Sequence, residues 1–230
     1  MTIIAPVFKK LLPPLESGDV LSRDEFERRY HAMPETKKAE LIEGVVHMPS
    51  PVRWEAHSTP HVDLAGVFWY YCSFTKGCQA GDNGTVRLDV DNEPQPDIPL
   101  IIRPECGGRI VISEDGYLEG APDLVAEIAA STVSIDVNQK LKAYRRNQVR
   151  EYMIWRVLDE QLDWFIFQNN SFEPLLVDEA GVMRSQAFPG LWLNVNALLR
   201  GDSQAVLSTL MTGLASAEHA TFVEKLQPGK

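Results

Sequence analysis

One charged residue inside an apolar strand places the strongest constraint on how this chain can fold. Residues 124–130 read Leu-Val-Ala-Glu-Ile-Ala-Ala, and Glu127 is the single charged side chain among them. Side chains alternate along a strand, so Val125, Glu127 and Ala129 share one face. An ionised carboxylate is costly to bury alone. Glu127 must therefore be paired, protonated or bound to a metal ion.

A second carboxylate stands at the start of another apolar strand. Asp97 follows Pro96 and precedes the run Ile98–Ile102, whose apolar character is typical of a buried central strand. If the two strands are neighbours, Asp97 and Glu127 can converge on one hard divalent cation, for which Mg²⁺ is the natural candidate. The alternative is structural, with Asp97 capping a turn and Glu127 paired with a basic residue of the following helix.

The helix predicted over residues 136–148 offers such a basic residue. Tyr144 falls on its apolar stripe, which indicates a core position rather than a catalytic role. Lys140 lies at the border of the stripe and can lean towards the sheet. Residues 138–150 include no acidic residue and five basic ones, namely Lys140, Lys142, Arg145, Arg146 and Arg150. This positive face could hold phosphates or be an ordinary solvated surface.

The rest of the chain reads as a mixture of helices and strands. A short helix begins at Ser22, and a hairpin over residues 40–48 turns at Glu43-Gly44. Helical spacing over residues 60–74 predicts a buried face of Val62, Ala65, Phe68, Trp69 and Cys72. Further strands are predicted at residues 85–90, 152–157, 162–167 and 172–177, and a helical segment at residues 195–227. We therefore predict an α/β fold with a mixed central sheet flanked by helices.

Composition limits the classes of function. The 230 residues carry a formal net charge of −10, so any contact with nucleic acid needs a local basic patch. The three cysteines form no C-x-x-C pair, which argues against a disulfide framework or a structural zinc site. The sequence has neither a secretory signal nor a run of about 18 apolar residues, so we expect a cytoplasmic protein with no membrane span.

In their order and spacing, several segments resemble the Uma2 family. Its members are restriction-endonuclease-like proteins with the PD-(D/E)XK nuclease fold, and they are common in cyanobacteria. The segments are Glu40-Leu-Ile-Glu-Gly, Met48-Pro-Ser-Pro51, His57, Pro96-Asp97, Ala121–Thr132, Asp136 with Lys140 and Tyr144, Val149–Trp155 and Phe188–Trp192. The resemblance covers residues 22–199.

The resemblance implies roles for particular residues. Asp97 matches the acidic residue of the PD element and Glu127 the second acidic residue, both as metal ligands. The wider superfamily places a lysine two residues after that glutamate, where this chain has Ala129. Lys140 resembles the migrated lysine of the Uma2 family, which reaches the same space from the helix. Glu40 matches an upstream glutamate, either as a further ligand or as a group that supports the ligands.

Three further residues are candidates for the site, but each also has an alternative interpretation. Glu43 competes with Glu40, but the following Gly44 indicates a turn. His57 matches a family histidine, which leaves a role at the edge of the site open, although its surroundings, Arg53-Trp-Glu-Ala-His57, depart from the family pattern. His57 and His61 have the spacing of two zinc ligands on a helix, but Pro60 lies between them, and capping the helix is the plainer interpretation.

We predict hydrolysis of DNA phosphodiester bonds by a metal-activated water, with Mg²⁺ as the cofactor and Mn²⁺ as an alternative ion. Asp97, Glu127 and Lys140 supply the parts that this chemistry needs. The expected substrate is double-stranded DNA. Residues 1–200 are predicted to form the nuclease domain and residues 201–230 a C-terminal helical appendage, whose apolar residues could support a homodimer.

Two other classes of function stay open at this point. A nuclease fold that has lost catalysis could serve as a nucleic-acid-binding or protein-interaction module, and the net charge of −10 and Ala129 favour this alternative. A Lys140 side chain within reach of the acidic pair would favour the enzyme, and one that points away would favour the binding module. The third interpretation is an unrelated α+β protein with structural ion pairs.

Overall fold

Helices and strands alternate irregularly along the chain. A computed structural model describes residues 12–36, 38–48 and 51–226, so Pro49 and Ser50 of the Met48–Pro51 segment lie outside the described residues. The strands are β1 (Glu40–Ile42), β2 (Val45–His47), β3 (Cys78–Ala80), β4 (Val86–Arg87), β5 (Ile98–Ile102), β6 (Val111–Ile112), β7 (Leu118–Glu119), β8 (Leu124–Ala129), β9 (Glu151–Arg156), β10 (Gln161–Gln168), β11 (Ser171–Pro174), β12 (Val182–Arg184) and β13 (Trp192–Asn194). The helices are α1 (Arg23–Tyr30), α2 (Thr59–Phe74), α3 (Leu141–Arg146), α4 (Val195–Leu199), α5 (Ser203–Leu214) and α6 (Ala217–Lys225). Two π-helical turns, Trp54–Ser58 and Ile135–Lys140, run directly into α2 and α3.

A six-stranded sheet with the order β11-β10-β9-β8-β5-β3 forms the centre of the fold. Its β8 and β9 strands run parallel, and the other neighbouring strands are antiparallel. The two apolar strands are neighbours, because Ile98 in β5 pairs with Ala126 in β8. This register brings the start of β5 beside the middle of β8, and it therefore places Asp97 next to Glu127.

Alternate residues of β8 enter two separate cores. Ala126 belongs to the larger core, which includes Phe68 of α2. Ala129, on the opposite face, belongs to a second core that includes Tyr144 of α3. Both faces of the sheet are thus covered by helices, and the predicted mixed sheet flanked by helices is confirmed.

The predicted buried face of α2 is partly wrong. Phe68 is fully buried, but the residues beside it in the core are Leu64, Val67 and Tyr71. Trp69, which we expected in the core, is 69% exposed, and Val62 is 66% exposed. Apolar residues occur on most sides of this helix. The sequence pattern alone therefore could not decide which side of the helix packs against the sheet.

The hairpin of β1 and β2 forms as predicted and holds Glu40 beside the central sheet. Its turn residues Glu43 and Gly44 have φ angles of 53° and 73°, as a two-residue turn with left-handed backbone requires. Leu41 exchanges two backbone hydrogen bonds with Glu93, of 3.2 and 2.8 Å. The hairpin is therefore tied to the segment that leads into β5.

Three C-terminal helices complete the larger core. Leu210 of α5 and Leu226, just after α6, are buried in it. The helical segment breaks at Gly201 and again between Leu214 and Ala217. The division of the chain at residue 200 stays a prediction.

Two predicted strands are shorter in the structure. The segment 85–90 contributes only β4, which pairs with β7 in a separate three-stranded sheet. The segment 172–177 contributes β11, which ends at Pro174 at the edge of the central sheet. No helix in the described part of the chain is long and apolar enough to cross a membrane.

Gly213 is expected to tolerate no side chain, because it lies where α5 meets the chain before β13. A Cβ atom there would stand 2.3 Å from the carbonyl oxygen of Gly190. We expect Gly213→Ala to lower the free energy of unfolding in urea by about 1–3 kcal/mol through overpacking.

The matched control is Gly66→Ala in α2, where a Cβ would meet nothing within 4 Å. This substitution should raise the free energy of unfolding by about 0.5–1 kcal/mol, because alanine favours a helix interior. Equal effects of the two substitutions would contradict the packing described here.

Candidate active site

Four polar side chains predicted from the sequence meet beside the β5–β8 pair. Asp97 precedes β5, Glu127 lies in the middle of β8, Lys140 ends a π-helical turn and Glu40 begins β1. Asp97, Glu127 and Lys140 are all buried. The fold brings together residues that lie up to 100 positions apart.

Lys140 stands at the centre of this cluster. Its Nζ atom lies 3.0 Å from Glu127 Oε1, 3.1 Å from Glu40 Oε1 and 3.6 Å from Asp136 Oδ1. The side chain begins in the π-helical turn Ile135–Lys140, and such turns are frequent at functional sites. Lys140 therefore points into the site, towards the acidic pair.

Asp97 and Glu127 are held by the backbone of the sheet. The backbone N–H of Ile128 donates to Asp97 Oδ2 over 2.8 Å, and the N–H of Asp97 donates to Glu127 Oε2 over 3.4 Å. Each carboxylate thus accepts a hydrogen bond from the strand that carries the other. The acidic pair is built into the register of β5 and β8.

Three further residues reach the cluster, and sequence reasoning gave none of them a role there. The Tyr144 hydroxyl donates to Glu127 Oε1 over 3.0 Å, although its ring lies in the core as expected. Asp136 is buried, and its position four residues before Lys140 on a helix was a usable signal. Lys38 Nζ lies 3.8 Å from Asp97 Oδ1 and donates to Asn83 over 2.9 Å, and no sequence pattern pointed to it.

The two histidines lie on one side of Asp97 without forming the zinc pair considered above. His57 Nδ1 lies 3.0 Å from the carbonyl oxygen of Ile128, so this nitrogen carries the proton. Its Nε2 atom faces Asp97 Oδ1 at 3.6 Å. His61 Nε2 instead contacts the backbone oxygen of Asp97 and the carboxylate of Asp82, both at 3.2 Å. His57 therefore lies at the edge of the site, with its Nε2 atom towards Asp97.

Glu43 does not join the cluster. It occupies the hairpin turn, as Gly44 indicated, and its carboxylate pairs with Arg146 over 2.9 Å. Glu40, on the first strand of the hairpin, reaches Lys140 and accepts a hydrogen bond from the backbone N–H of Gln95 over 2.7 Å.

The cluster contains more negative than positive groups. Burial raises the pKa of Glu127 to about 8, and the carboxylates of Asp97, Asp136 and Glu40 add to this effect while Lys140 opposes it. Burial alone would lower the pKa of Lys140, but the three carboxylates that surround its ammonium group raise that pKa well above its usual value. Lys140 is therefore an ammonium ion at neutral pH.

The chemistry of these donors fits a hard divalent cation. Four carboxylates face two lysines, and Asp136 Oδ1 is buried without a hydrogen-bond partner. A divalent cation prefers carboxylate oxygens and would offset the excess negative charge. As the side chains now lie, no group of three or more His, Cys, Asp or Glu residues in the described ranges is arranged to hold a metal ion. Lys140 and Tyr144 both contact Glu127 Oε1 at 3.0 Å. The polar contacts of Glu127 Oε2 and Asp97 Oδ1 are longer, at 3.4 Å from the Asp97 N–H, 3.6 Å from His57 Nε2 and 3.8 Å from Lys38 Nζ, so these are the oxygens that a cation would most easily reach.

Comparisons with known proteins show the family of the chain and a crystal structure of similar fold. Residues 23–196 match the family described as "Uma2: Putative restriction endonuclease". The chain belongs to the Uma2 family. Its structure is similar to the crystal structure of "a putative nuclease belonging to DUF820" from Anabaena variabilis ATCC 29413, with a TM-score of 0.56 and 19% identity over 75% of this chain and 96% of that chain. No curated protein matches the sequence.

The Uma2 resemblance inferred from the sequence motifs is confirmed, and so is the nuclease fold. The family and the fold together support a nuclease function, in which the protein acts on nucleic acid as a hydrolase. Ala129, at the position of the superfamily lysine, is fully buried, and the only lysine that reaches Glu127 in the described residues is Lys140.

Removing the ammonium group should destabilise the fold of this Uma2 protein. Lys140→Met would leave the buried Asp136 and the partly buried Glu40 without their cation, so we expect the free energy of unfolding to fall by about 3–5 kcal/mol at neutral pH without added metal. The control is Lys142→Met on the same helix, where the side chain is exposed and the expected change is within about 0.5 kcal/mol. If both variants lost a similar free energy of unfolding in urea titrations, the contacts of Lys140 with the carboxylates would not be what stabilises the fold.

The stability of the metal-free protein should also depend on the protonation of Glu127. Its pKa in the folded state, about 8, lies above its ordinary value of 4.5, so the folded state binds the proton more tightly than the unfolded state does. The resulting stabilisation is fully present below 4.5 and is lost as the pH rises through about 8.

Unfolding of the wild type and of Glu127→Gln, measured in chelator across this pH range, tests the point. The free energy of unfolding of the wild type should fall relative to that of the variant as the pH rises. If the difference in free energy of unfolding between the wild type and Glu127→Gln did not depend on pH, Glu127 would not titrate in this pH range.

Proposed function

We propose that this Uma2 protein is a Mg²⁺-dependent endonuclease that hydrolyses DNA phosphodiester bonds, with Mn²⁺ as an alternative ion. The observation that carries the proposal is the Lys140 ammonium 3.0 Å from Glu127, beside Asp97, in a chain of a nuclease family. From the sequence, a Lys140 side chain within reach of the acidic pair favours an enzyme, and one that points away favours a binding module.

The division of labour follows from the contacts. Asp97 and Glu127 would hold the cation, which when bound neutralises charge on the phosphoryl oxygens and lowers the pKa of an attacking water. Tyr144 fixes the orientation of the Glu127 carboxylate through its hydrogen bond. Glu40 holds Lys140 from the opposite side and is a supporting group or a further ligand.

Lys140 is suited to stabilise charge rather than to remove a proton, because its pKa is raised. An ammonium group has three N–H donors. Glu127 and Glu40 accept two of them, and Asp136, at 3.6 Å, lies beyond hydrogen-bond distance. The third N–H is therefore available to the attacking water or to a phosphoryl oxygen that gains negative charge.

A local basic surface supports a nucleic-acid substrate despite the acidic composition. Lys142 and Arg145, on the outer side of the helix that follows Lys140, are exposed and have no ion pair with any described residue. Arg146, by contrast, is neutralised by Glu43 and Asp89. Phosphates are the natural partners of unneutralised lysine and arginine. Double-stranded DNA as the substrate, a homodimer and a cytoplasmic location stay predictions.

The competing function is a nuclease fold that binds nucleic acid or protein without cleaving. The observation in its favour is that the carboxylates contact lysines and tyrosine rather than forming a group of three ready ligands among the described residues. Metal binding and cleavage distinguish the two functions.

Calorimetry with Mg²⁺ and Mn²⁺, together with a plasmid-nicking assay, tests the proposal on the wild type, Asp97→Asn and Glu127→Gln. Both variants should lose metal binding and should lower the nicking rate by a factor on the order of 10³ or more, because they remove ligands needed to stabilise the transition state. Asp123→Asn is the matched control, since Asp123 is a buried acid one residue before β8 that pairs with Arg150 outside the cluster. It should retain binding and nicking.

Two results would contradict the proposal. Variants at Asp97 and Glu127 that bind metal as the wild type does would place the ion elsewhere. A wild type that neither binds metal nor nicks DNA would favour the binding module.

A further inference from the structure

An exposed arginine and tryptophan begin the turn that carries His57 into the site. Arg53 has an extended backbone and precedes the π-helical turn Trp54–Ser58, and its carbonyl oxygen accepts a hydrogen bond from the backbone N–H of His57 over 3.0 Å. His57 Nε2 in turn lies 3.6 Å from Asp97 Oδ1. Trp54 is therefore one helical turn away from a side chain that faces the acidic pair.

Trp54 projects into solvent at this position. Its side chain is 76% exposed, and within the described residues its ring stacks on no other aromatic ring. The nearby 3₁₀ turn Val157–Asp159, which packs against the π-helical turn, adds an exposed Leu158. A large exposed aromatic surface beside a candidate active site is typical of a place where a ligand docks.

The charge of Arg53 points to the kind of ligand. Most arginines and lysines in the described residues pair with a carboxylate, as expected in a chain with a net charge of −10. Arg53 is exposed and has no such pair there. It is the only unpaired basic residue of the described chain that adjoins an exposed tryptophan. An unneutralised guanidinium binds phosphate oxygens through two parallel hydrogen bonds.

We infer that Arg53 and Trp54 bind an unpaired nucleotide of the DNA strand that enters the site, with Trp54 stacked on the base and Arg53 on its phosphate. The inference rests on the proposed nuclease function and adds a preference among its substrates. Base faces inside a duplex are already stacked, so an indole ring can stack only on an unpaired base, as in a single strand, an overhang or a frayed end.

The experiment measures DNA binding in chelator, where cleavage does not interfere. Fluorescence anisotropy compares an oligonucleotide of about 20 nucleotides as a single strand, as a blunt duplex and as a duplex with an unpaired tail. Trp54→Ala should weaken binding of the single strand and the tailed duplex by roughly 10- to 100-fold, and it should leave the blunt duplex nearly unchanged. Trp69→Ala, the matched control, removes a 69% exposed tryptophan from α2 and should change none of the three.

Arg53 is tested by the dependence of affinity on salt. The slope of log affinity against log salt concentration is negative, and Arg53→Ala should make it shallower by about 0.7 to 0.9, because one phosphate contact is lost. Arg200→Ala is the control, since Arg200 is exposed after α4 and has no ion pair within the described residues. Its slope should match that of the wild type.

A direct readout comes from tryptophan emission. Quenching by the single-stranded oligonucleotide should persist in Trp69→Phe and disappear in Trp54→Phe, since stacking brings a base onto the indole ring. This readout separates contact with the base from an indirect effect of the substitution.

The outcomes distinguish this inference from the proposed function. If the wild type binds and nicks DNA but Trp54→Ala behaves like Trp69→Ala, the inference is overturned and the nuclease function stands. If Trp54→Ala weakens the blunt duplex as much as the single strand, the preference for an unpaired base is overturned. A wild type that binds none of the three DNAs and nicks no plasmid with Mg²⁺ would overturn both.

Discussion

The buried ammonium of Lys140 is the interaction on which the site depends. Glu127 and Glu40 hydrogen-bond to it, and Asp136 lies beside it. Burial disfavours the ionised form of both glutamates, and the ammonium group opposes this effect in each. Removing one partner of a buried ion pair costs far more than the pair contributes, because the remaining charge stays desolvated. Under the nuclease proposal, the same ammonium group stabilises charge beside Asp97 and Glu127. Lys140 would therefore serve both the stability of the fold and the chemistry.

The central sheet fixes the positions of the two carboxylates beside Lys140. Asp97 and Glu127 each accept a hydrogen bond from the neighbouring strand, and the register of Ile98 with Ala126 fixes their separation. Side chains held on central strands, with cores on both faces, have little freedom to move. Such a site is organised before substrate arrives, which is what charge stabilisation in a transition state requires.

The rest of the site comes from segments outside the central sheet. Lys140 and Tyr144 come from the helix after β8, where Ala129 leaves no lysine on the strand itself. His57 and Trp54 come from the π-helical turn before α2, with one facing Asp97 and the other facing solvent. The interior of the site is thus built from buried side chains with polar partners, whereas Arg53 and Trp54 at its edge are exposed.

The sequence by itself determined the mixed sheet, the hairpin and the two apolar strands, and it singled out Asp97, Glu127 and Lys140, which the structure brings together. It could do so because a charged residue in an apolar strand and the spacing of turns are local signals. Only the tertiary structure decided which line of α2 meets the sheet, and it exposed Trp69 where the pattern predicted burial. Only the tertiary structure brought Lys38 to Asp97 and Tyr144 to Glu127, because those contacts depend on how separate elements pack. The burial of a side chain and its contacts with distant residues depend on how the elements pack together. The periodicity of the sequence does not contain this information.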